Sequence, residues 1–198
     1  MINRLVRVTL AVALLSFGTA VFAGTLQVTN GGFETGDFSG WTQFGDTSFN
    51  GVCNASTCPG GETPFAGTYS AFFGPVGDTG GIYQNISTVV GDQYTVEFWL
   101  ALPASGTPNS FSATFGTGGF SLTNFPGSFQ WSLFEFTGTA TSTSTRLTFT
   151  FRNDPNYWFL DNVSVTTGGL TTPEPGTLVL FGSGLIGIAG IVRRKIRL

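Results

Sequence analysis

The chain of 198 residues contains 29 glycines and 21 phenylalanines, only 10% charged residues and no histidine. Its formal net charge of −3 conceals an acidic middle, because residues 24–172 contain ten acidic and two basic side chains, a formal charge of −8. A segment this acidic is repelled by phosphate backbones, which argues against nucleic-acid binding. Without histidine, Ser-His-Asp and Cys-His catalytic systems and His-ligated zinc sites are excluded.

Residues 1–23 have the layout of a secretory signal peptide. Arg4 and Arg7 precede an apolar run over residues 8–17, and the tripeptide that ends at Ala23 offers a cleavage site. The run is too short to span a bilayer comfortably, and polar, glycine-rich sequence follows it. We therefore predict cleavage after Ala23 and export of the remaining chain.

Residues 24–166 are expected to form one all-β domain, a two-sheet jelly-roll sandwich. Apolar residues alternate with polar ones along residues 94–102 and 146–152, which is the period of a strand. Further strand candidates separated by glycine and proline turns are residues 26–30, 68–73, 82–87, 111–115, 120–125, 131–136 and 157–165. About nine strands without helical crossovers favour a sandwich that hides most strand edges. Residues 44–64 lack alternation and are predicted to form a loop.

The two cysteines, Cys53 and Cys58, lie close together in this predicted loop. In an exported chain, oxidation to a disulfide is the expected fate of such a pair. A metal or redox site is the alternative, but a second cysteine pair and histidine are both missing from the sequence.

The C-terminal segment changes character after a short flexible linker, residues 167–172. Within residues 173–198, an uncharged, apolar run over 176–192 is long enough to cross a bilayer as a transmembrane helix. The cations Arg193, Arg194 and Lys195 follow it and are expected to stay in the cytoplasm, so the β domain faces outward. A packed C-terminal helix of the β domain is the alternative.

The order Pro173-Glu174-Pro175, short span, Arg193-Arg194-Lys195 resembles the PEP-CTERM sorting tail of Gram-negative bacteria. That resemblance implies recognition by an exosortase, a transpeptidase-like membrane protease, as a partner. It further implies an inner-membrane-anchored stage, delivery to the cell surface or the extracellular matrix, and a link to exopolysaccharide and biofilm production.

The two ends of the β domain carry a second resemblance. Residues 30–41 and 158–165 resemble the first and last strands of carbohydrate-binding-module-like, galactose-binding-like jelly rolls. In such modules the corresponding acids, here Glu34 and Asp161, often help to hold a structural calcium ion. Asp161 shares its strand parity with Phe159 and Val163, so its carboxylate is expected to be buried and to need a partner. The alternative is that Asp161 accepts backbone amides near the rim.

Carbohydrate binding without catalysis is the function that these observations favour. Aromatic rings stack on the apolar faces of sugars, and amides and carboxylates bond the hydroxyls. Trp99 lies opposite the apolar face of its strand beside Glu97, and the other candidate rings are Trp131, Tyr83, Tyr157 and Trp158. For each ring, burial in the core is the competing interpretation. The alternative functions are a passive matrix or coat protein and a glycoside hydrolase that uses two carboxylates such as Glu97 and Glu135.

Overall fold

Alternating phenylalanines build a sandwich of two antiparallel sheets. A computed structural model describes residues 25–26, 28–104 and 106–168. For residues 25 and 26 it describes the backbone alone. These residues belong to one compact unit, Ala23–Leu170. The predicted signal peptide, most of the predicted linker, the sorting tail and the expected span over 176–192 lie outside the described residues. Within the described ranges, no helix is long and apolar enough to cross a membrane.

Sheet A has the strand order β3-β4-β11-β6-β9, and β1 pairs with the C-terminal half of β11. Its strands are β1 (Thr25–Leu26), β3 (Asn50–Asn54), β4 (Tyr69–Phe73), β6 (Gln93–Leu102), β9 (Phe129–Thr139) and β11 (Trp158–Thr167). The closing strand β11 therefore lies in the middle of this sheet, where both of its edges are paired.

Sheet B has the order β2-β5-β10-β7-β8. Its strands are β2 (Thr42–Gly45), β5 (Gly80–Ser87), β7 (Asn109–Phe115), β8 (Gly118–Thr123) and β10 (Ser144–Asn153). All pairings are antiparallel, and the predicted all-β jelly-roll architecture is confirmed.

The core between the sheets consists mainly of aromatic rings. Phe73 of sheet A stacks on Phe151 of sheet B with ring centroids 3.9 Å apart, and Phe98 packs edge-on against Phe149 at 5.3 Å. Trp158 is fully buried beside Phe111, with its indole nitrogen donating to the carbonyl of Arg152. The candidate ligand contact at Trp158 is therefore wrong, because a ring with no exposed surface reaches no ligand.

The predicted loop over residues 44–64 is also partly wrong. Its start completes β2, and Asn50–Asn54 forms β3, which pairs with β4 at the edge of sheet A. A short 3-10 helix, Pro59–Gly61, follows. Glycine and asparagine dilute the alternation of β3, so its strand conformation depends on pairing with β4 rather than on its own pattern.

Candidate functional site

The outer face of sheet A is covered by residues 55–68, which we call the cover loop. The confirmed disulfide Cys53–Cys58 ties its first turn to β3. Phe65 stacks on Trp99 with ring centroids 3.6 Å apart and an interplanar angle of 13°. The indole nitrogen of Trp131 donates to the carbonyl oxygen of Thr63 at 2.8 Å. The structure thus brings Trp99 and Trp131 together. However, Phe65 covers a ring face of Trp99, and the carbonyl of Thr63 accepts the hydrogen bond of the Trp131 indole.

The carboxylates Glu97 and Glu135 are direct cross-strand neighbours on this outer face, next to the pair Trp99 and Leu133. Like charges directly opposite each other weaken a sheet unless solvent or a cation screens them. The two groups lie side by side on one sheet surface. This arrangement is not that of two carboxylates facing each other across a cleft, which glycoside hydrolysis requires.

Asp161 is fully buried, but the strand parity that predicted its burial does not apply. A β-bulge between Asp161 and Ser164, with Asn162 at a φ of 48°, shifts the register. Val163 and Val165 therefore face the core, whereas Asp161 shares the outer face with Phe159. The cover loop buries the carboxylate there.

The Asp161 carboxylate is bound only by backbone amides among the described residues. Its Oδ2 accepts from the amide of Ala66 at 3.1 Å, and its Oδ1 accepts from Asn162 at 2.7 Å. Burial, with a smaller contribution from the negative charge of Glu34, raises the pKa of Asp161 to about 6. Backbone hydrogen bonds from Ala66, Asn162 and Phe65 oppose that rise. Among the described residues, no basic side chain forms an ion pair with this carboxylate.

Glu34, in the segment that precedes β2, binds the same end of the cover loop as Asp161 does. Its carboxylate accepts from the amide of Thr68 at 3.0 and 3.1 Å and from the amide of Tyr69 at 3.2 Å. Gly67, at a φ of 63°, packs directly against this carboxylate, where a side chain would collide with it. The acid pair Glu34 and Asp161 therefore holds the end of the cover loop.

The acid pair fits a hard cation such as calcium in part. Calcium takes six to eight oxygen ligands, and carboxylates supply its strongest ones. Within the described residues, no group of three or more acidic, cysteine or histidine side chains gathers around one point. A calcium ion here would need backbone carbonyl oxygens or water to complete its shell.

Like Trp131, Tyr157 packs against the small cluster of Cys53, Cys58, Ala101 and Phe159. Its ring packs edge-on against Phe72 at 5.6 Å and lines an open cleft of about 120 Å³ together with Phe49, Val76 and Asn153. The side-chain amide of Asn153 is buried and makes no hydrogen bond. Because the polar atoms of the Asn153 side chain have no accessible surface, they cannot bind a ligand in the cleft, and we assign no ligand to it.

The outer face of sheet B is polar and open. It is formed by the outward side chains of five strands, which we call the hydroxyl face: Thr42, Phe44, Tyr83, Asn85, Ser112, Thr114, Ser121, Arg146, Thr148 and Thr150. Every one of these side chains is exposed or half-buried. Gly81 and Gly119 lie between them, and because they have no side chains they add no atoms above the sheet backbone at these two positions.

Two aromatic rings stand at the β2–β5 edge of the hydroxyl face. The rings of Phe44 and Tyr83 lie 6.2 Å apart at 46°, and the guanidinium of Arg146 lies 4.1 Å from the centroid of Tyr83. Sequence reasoning found Tyr83 but missed Phe44 and Arg146. The alternation of arginine and threonine along β10 was the signal for the second of these, since it marks the face on which Arg146 lies.

Comparisons with known proteins identify the tail. Residues 171–195 match the PEP-CTERM protein-sorting motif. The chain carries a PEP-CTERM tail. The PEP-CTERM motif implies export and sorting to the cell surface by an exosortase, and the predicted resemblance is confirmed. No curated protein matches the chain in sequence.

Solved structures match the β domain in fold. TmCBM61, determined in complex with β-1,4-galactotriose, matches with a TM-score of 0.56 and 20% identity over 71% of this chain and 97% of its own. The CBM22-1-CBM22-2 tandem of Paenibacillus barcinonensis Xyn10C gives 0.52 and 14% identity, over 81% of this chain and 50% of its own. The MgGH51 α-L-arabinofuranosidase gives 0.51 and 14%, with 76% and 27% covered. The chain thus spans half or less of the last two. These likenesses confirm the expected carbohydrate-binding-module-like jelly roll.

Proposed function

We propose that this chain is an exported, non-catalytic carbohydrate-binding protein that holds glycan on the hydroxyl face. The observation that carries the proposal is the pairing of Phe44 and Tyr83 beside an open floor of serine and threonine hydroxyls. Sugar recognition combines apolar ring contacts with several hydrogen bonds to hydroxyl groups. The hydroxyl face offers both on one accessible surface.

The alternative aromatic group on sheet A is less suited to a ligand. Phe65 already occupies a ring face of Trp99 at van der Waals distance, and a sugar that stacked there would have to displace it. Opening the cover loop would also break the hydrogen bonds that its backbone amides donate to Asp161 and Glu34. Displacement therefore costs packing and hydrogen bonds before the first sugar contact forms. Arg146 also covers a face of Tyr83, but this exposed guanidinium can itself donate hydrogen bonds to a sugar, so the apolar contact on the hydroxyl face falls mainly to Phe44.

The five strands of sheet B span about 19 Å from the centre of β2 to the centre of β8, since neighbouring strands lie about 4.8 Å apart. A surface of that width, with its rings at one edge, suits several sugar units of a chain rather than a single small molecule. Delivery by the PEP-CTERM tail supports an envelope or extracellular polysaccharide as the ligand, and an exosortase-type enzyme as the processing partner. After an inner-membrane-anchored stage, the mature domain would act at the cell surface or outside it.

We further propose that calcium occupies the acid pair. Asp161 supplies a buried carboxylate with which no basic side chain of the described residues pairs, and Glu34 supplies an exposed one beside it. A divalent cation between them would offset their repulsion and fix the end of the cover loop. Its role would be structural, because the acid pair belongs to sheet A and the proposed glycan surface belongs to sheet B.

Glycan-array binding by the full chain, expressed with its own signal and tail and purified in detergent, tests the function. The double variant Phe44→Ala/Tyr83→Ala should lose at least tenfold in affinity, equivalent to about 1.4 kcal/mol. Phe49→Ala is the matched control, since it removes an exposed ring outside the hydroxyl face. Loss on Trp99→Ala alone would move the site to sheet A. Absence of binding to any glycan would favour a passive matrix or coat protein.

A further inference from the structure

Charge is segregated between the two sheets of the sandwich. The five strands of sheet B contain both arginines of residues 24–172 and not one aspartate or glutamate. All ten acidic residues of that span lie on sheet A or in connecting segments. An acidic domain with a formal charge of −8 therefore presents one sheet that is free of carboxylates on its strands.

The two arginines of sheet B have different surroundings. Arg152 forms a two-point ion pair with Asp154, with nitrogen–oxygen distances of 2.8 and 2.9 Å. Arg146 is exposed and makes no ion pair within the described part of the chain. Its guanidinium lies over the ring of Tyr83, and its Nε contacts Asn85 Oδ1 at 3.5 Å.

The position of Arg146 separates it from most carboxylates near sheet B. Asp46, Asp78 and Asp154 adjoin the end of the sheet at which β10 finishes, whereas Arg146 lies near the start of β10. Six residues of strand correspond to about 20 Å, more than twice the screening length of about 8 Å at physiological salt. Asp92, at the nearer end, lies in the connection to sheet A.

We propose that Arg146 binds a carboxylate on the glycan, so that the ligand of the hydroxyl face is an acidic polysaccharide that contains uronic acid. This inference rests on the proposed function. A planar guanidinium binds a carboxylate through two parallel hydrogen bonds, and its terminal nitrogens remain available when only Nε contacts Asn85. Tyr83 holds the group against the sheet by a cation–π contact, which reduces the entropy lost on binding.

The test measures affinity for uronic-acid oligosaccharides, namely oligogalacturonate and oligomeric alginate, and for the same oligosaccharides after methyl esterification. Esterification removes the charge and keeps the sugar. The full chain should bind at least one acidic form tenfold or more tightly than its ester. Arg146→Gln should abolish that preference and change the affinity for the ester less than threefold. Arg146→Lys should retain only part of the preference, because an ammonium group cannot donate two parallel hydrogen bonds to a carboxylate.

Arg152→Gln is the matched control, since it removes the same charge from the same strand and should keep the preference. Equal melting temperatures establish that the variants are folded. Equal binding of acid and ester by the wild-type chain, or an unchanged preference in Arg146→Gln, overturns the inference while the glycan-binding function stands. Failure to bind any glycan overturns both.

Discussion

Acidification from pH 7 to pH 5 in the presence of a chelator should stabilise the domain. Burial raises the pKa of Asp161 to about 6 in the folded state, against 3.8 for an unperturbed group. The folded state therefore takes up a proton at a higher pH than the unfolded state does, and stability rises as the pH falls between these two values. Linkage gives a gain of about 1 kcal/mol between pH 7 and pH 5.

No other group with a resolved pKa shift opposes this trend in the same window. Hydrogen bonds lower the pKa of Asp37 and Asp46, and the bond from Arg152 lowers the pKa of Asp154 to about 2. A carboxylate with a lowered pKa stabilises the fold above its unfolded pKa, and that contribution is lost only as the pH falls below about 4. The interval from pH 7 to pH 5 thus reports on Asp161.

Urea unfolding at pH 7 and pH 5 in EDTA measures this gain, which corresponds to a rise of roughly 3–5 °C in melting temperature for a domain of this size. Asp161→Asn cannot titrate and should show no gain, whatever its absolute stability. Glu135→Gln, which removes an exposed carboxylate on the same sheet, should keep the gain. A wild-type chain with no gain, or an Asp161→Asn variant with the full gain, would refute the reasoning.

Two further predictions concern the two ends of the cover loop. Calcium at one hundred times its dissociation constant should raise the unfolding free energy at pH 7 by about 2.7 kcal/mol. It should also cancel the gain on acidification, because protons compete with the cation for the Asp161 carboxylate. Glu34→Gln and Asp161→Asn should each remove the calcium-dependent rise in titrations followed by thermal melting, and a rise that survives both would contradict the site. Cys53→Ser/Cys58→Ser should cost about 2 kcal/mol in urea unfolding, from the entropy of a short closed loop. A matching loss in the reduced wild-type chain is the control, and an unchanged midpoint would contradict the estimate.

Alternation along the sequence was enough to predict the fold class and the long central strands. β6 carries five apolar residues with period two and β10 carries three, so their core faces were predictable without tertiary information. β3 was not predictable in this way. Its residues, including Gly51 and Cys53, acquire strand conformation by pairing with β4.

Long-range placement explains why the candidate site was predicted only in part. The outward orientation of Trp99 follows from the pattern of β6, but the stacking of Phe65 on it depends on a loop that begins 44 residues earlier in the chain. Phe44 was assigned to a loop because β2 has only four residues. Its role depends on the pairing with β5, which places it diagonally beside Tyr83.

Asp161 shows how a correct expectation can rest on the wrong geometry. Strict alternation counted back from Val165 and Val163 would have placed its carboxylate in the aromatic core, away from the amides of the cover loop. The bulge at Asn162 instead turns it outward while Val163 and Val165 keep their core positions. The cover loop then buries it beside Glu34 and binds it through Ala66. The acid pair and the disulfide therefore act on the same segment from its two ends, and together they keep Phe65 on Trp99. This leaves the hydroxyl face of sheet B, with Arg146 and its serine and threonine hydroxyls, as the sheet surface that the cover loop does not occupy.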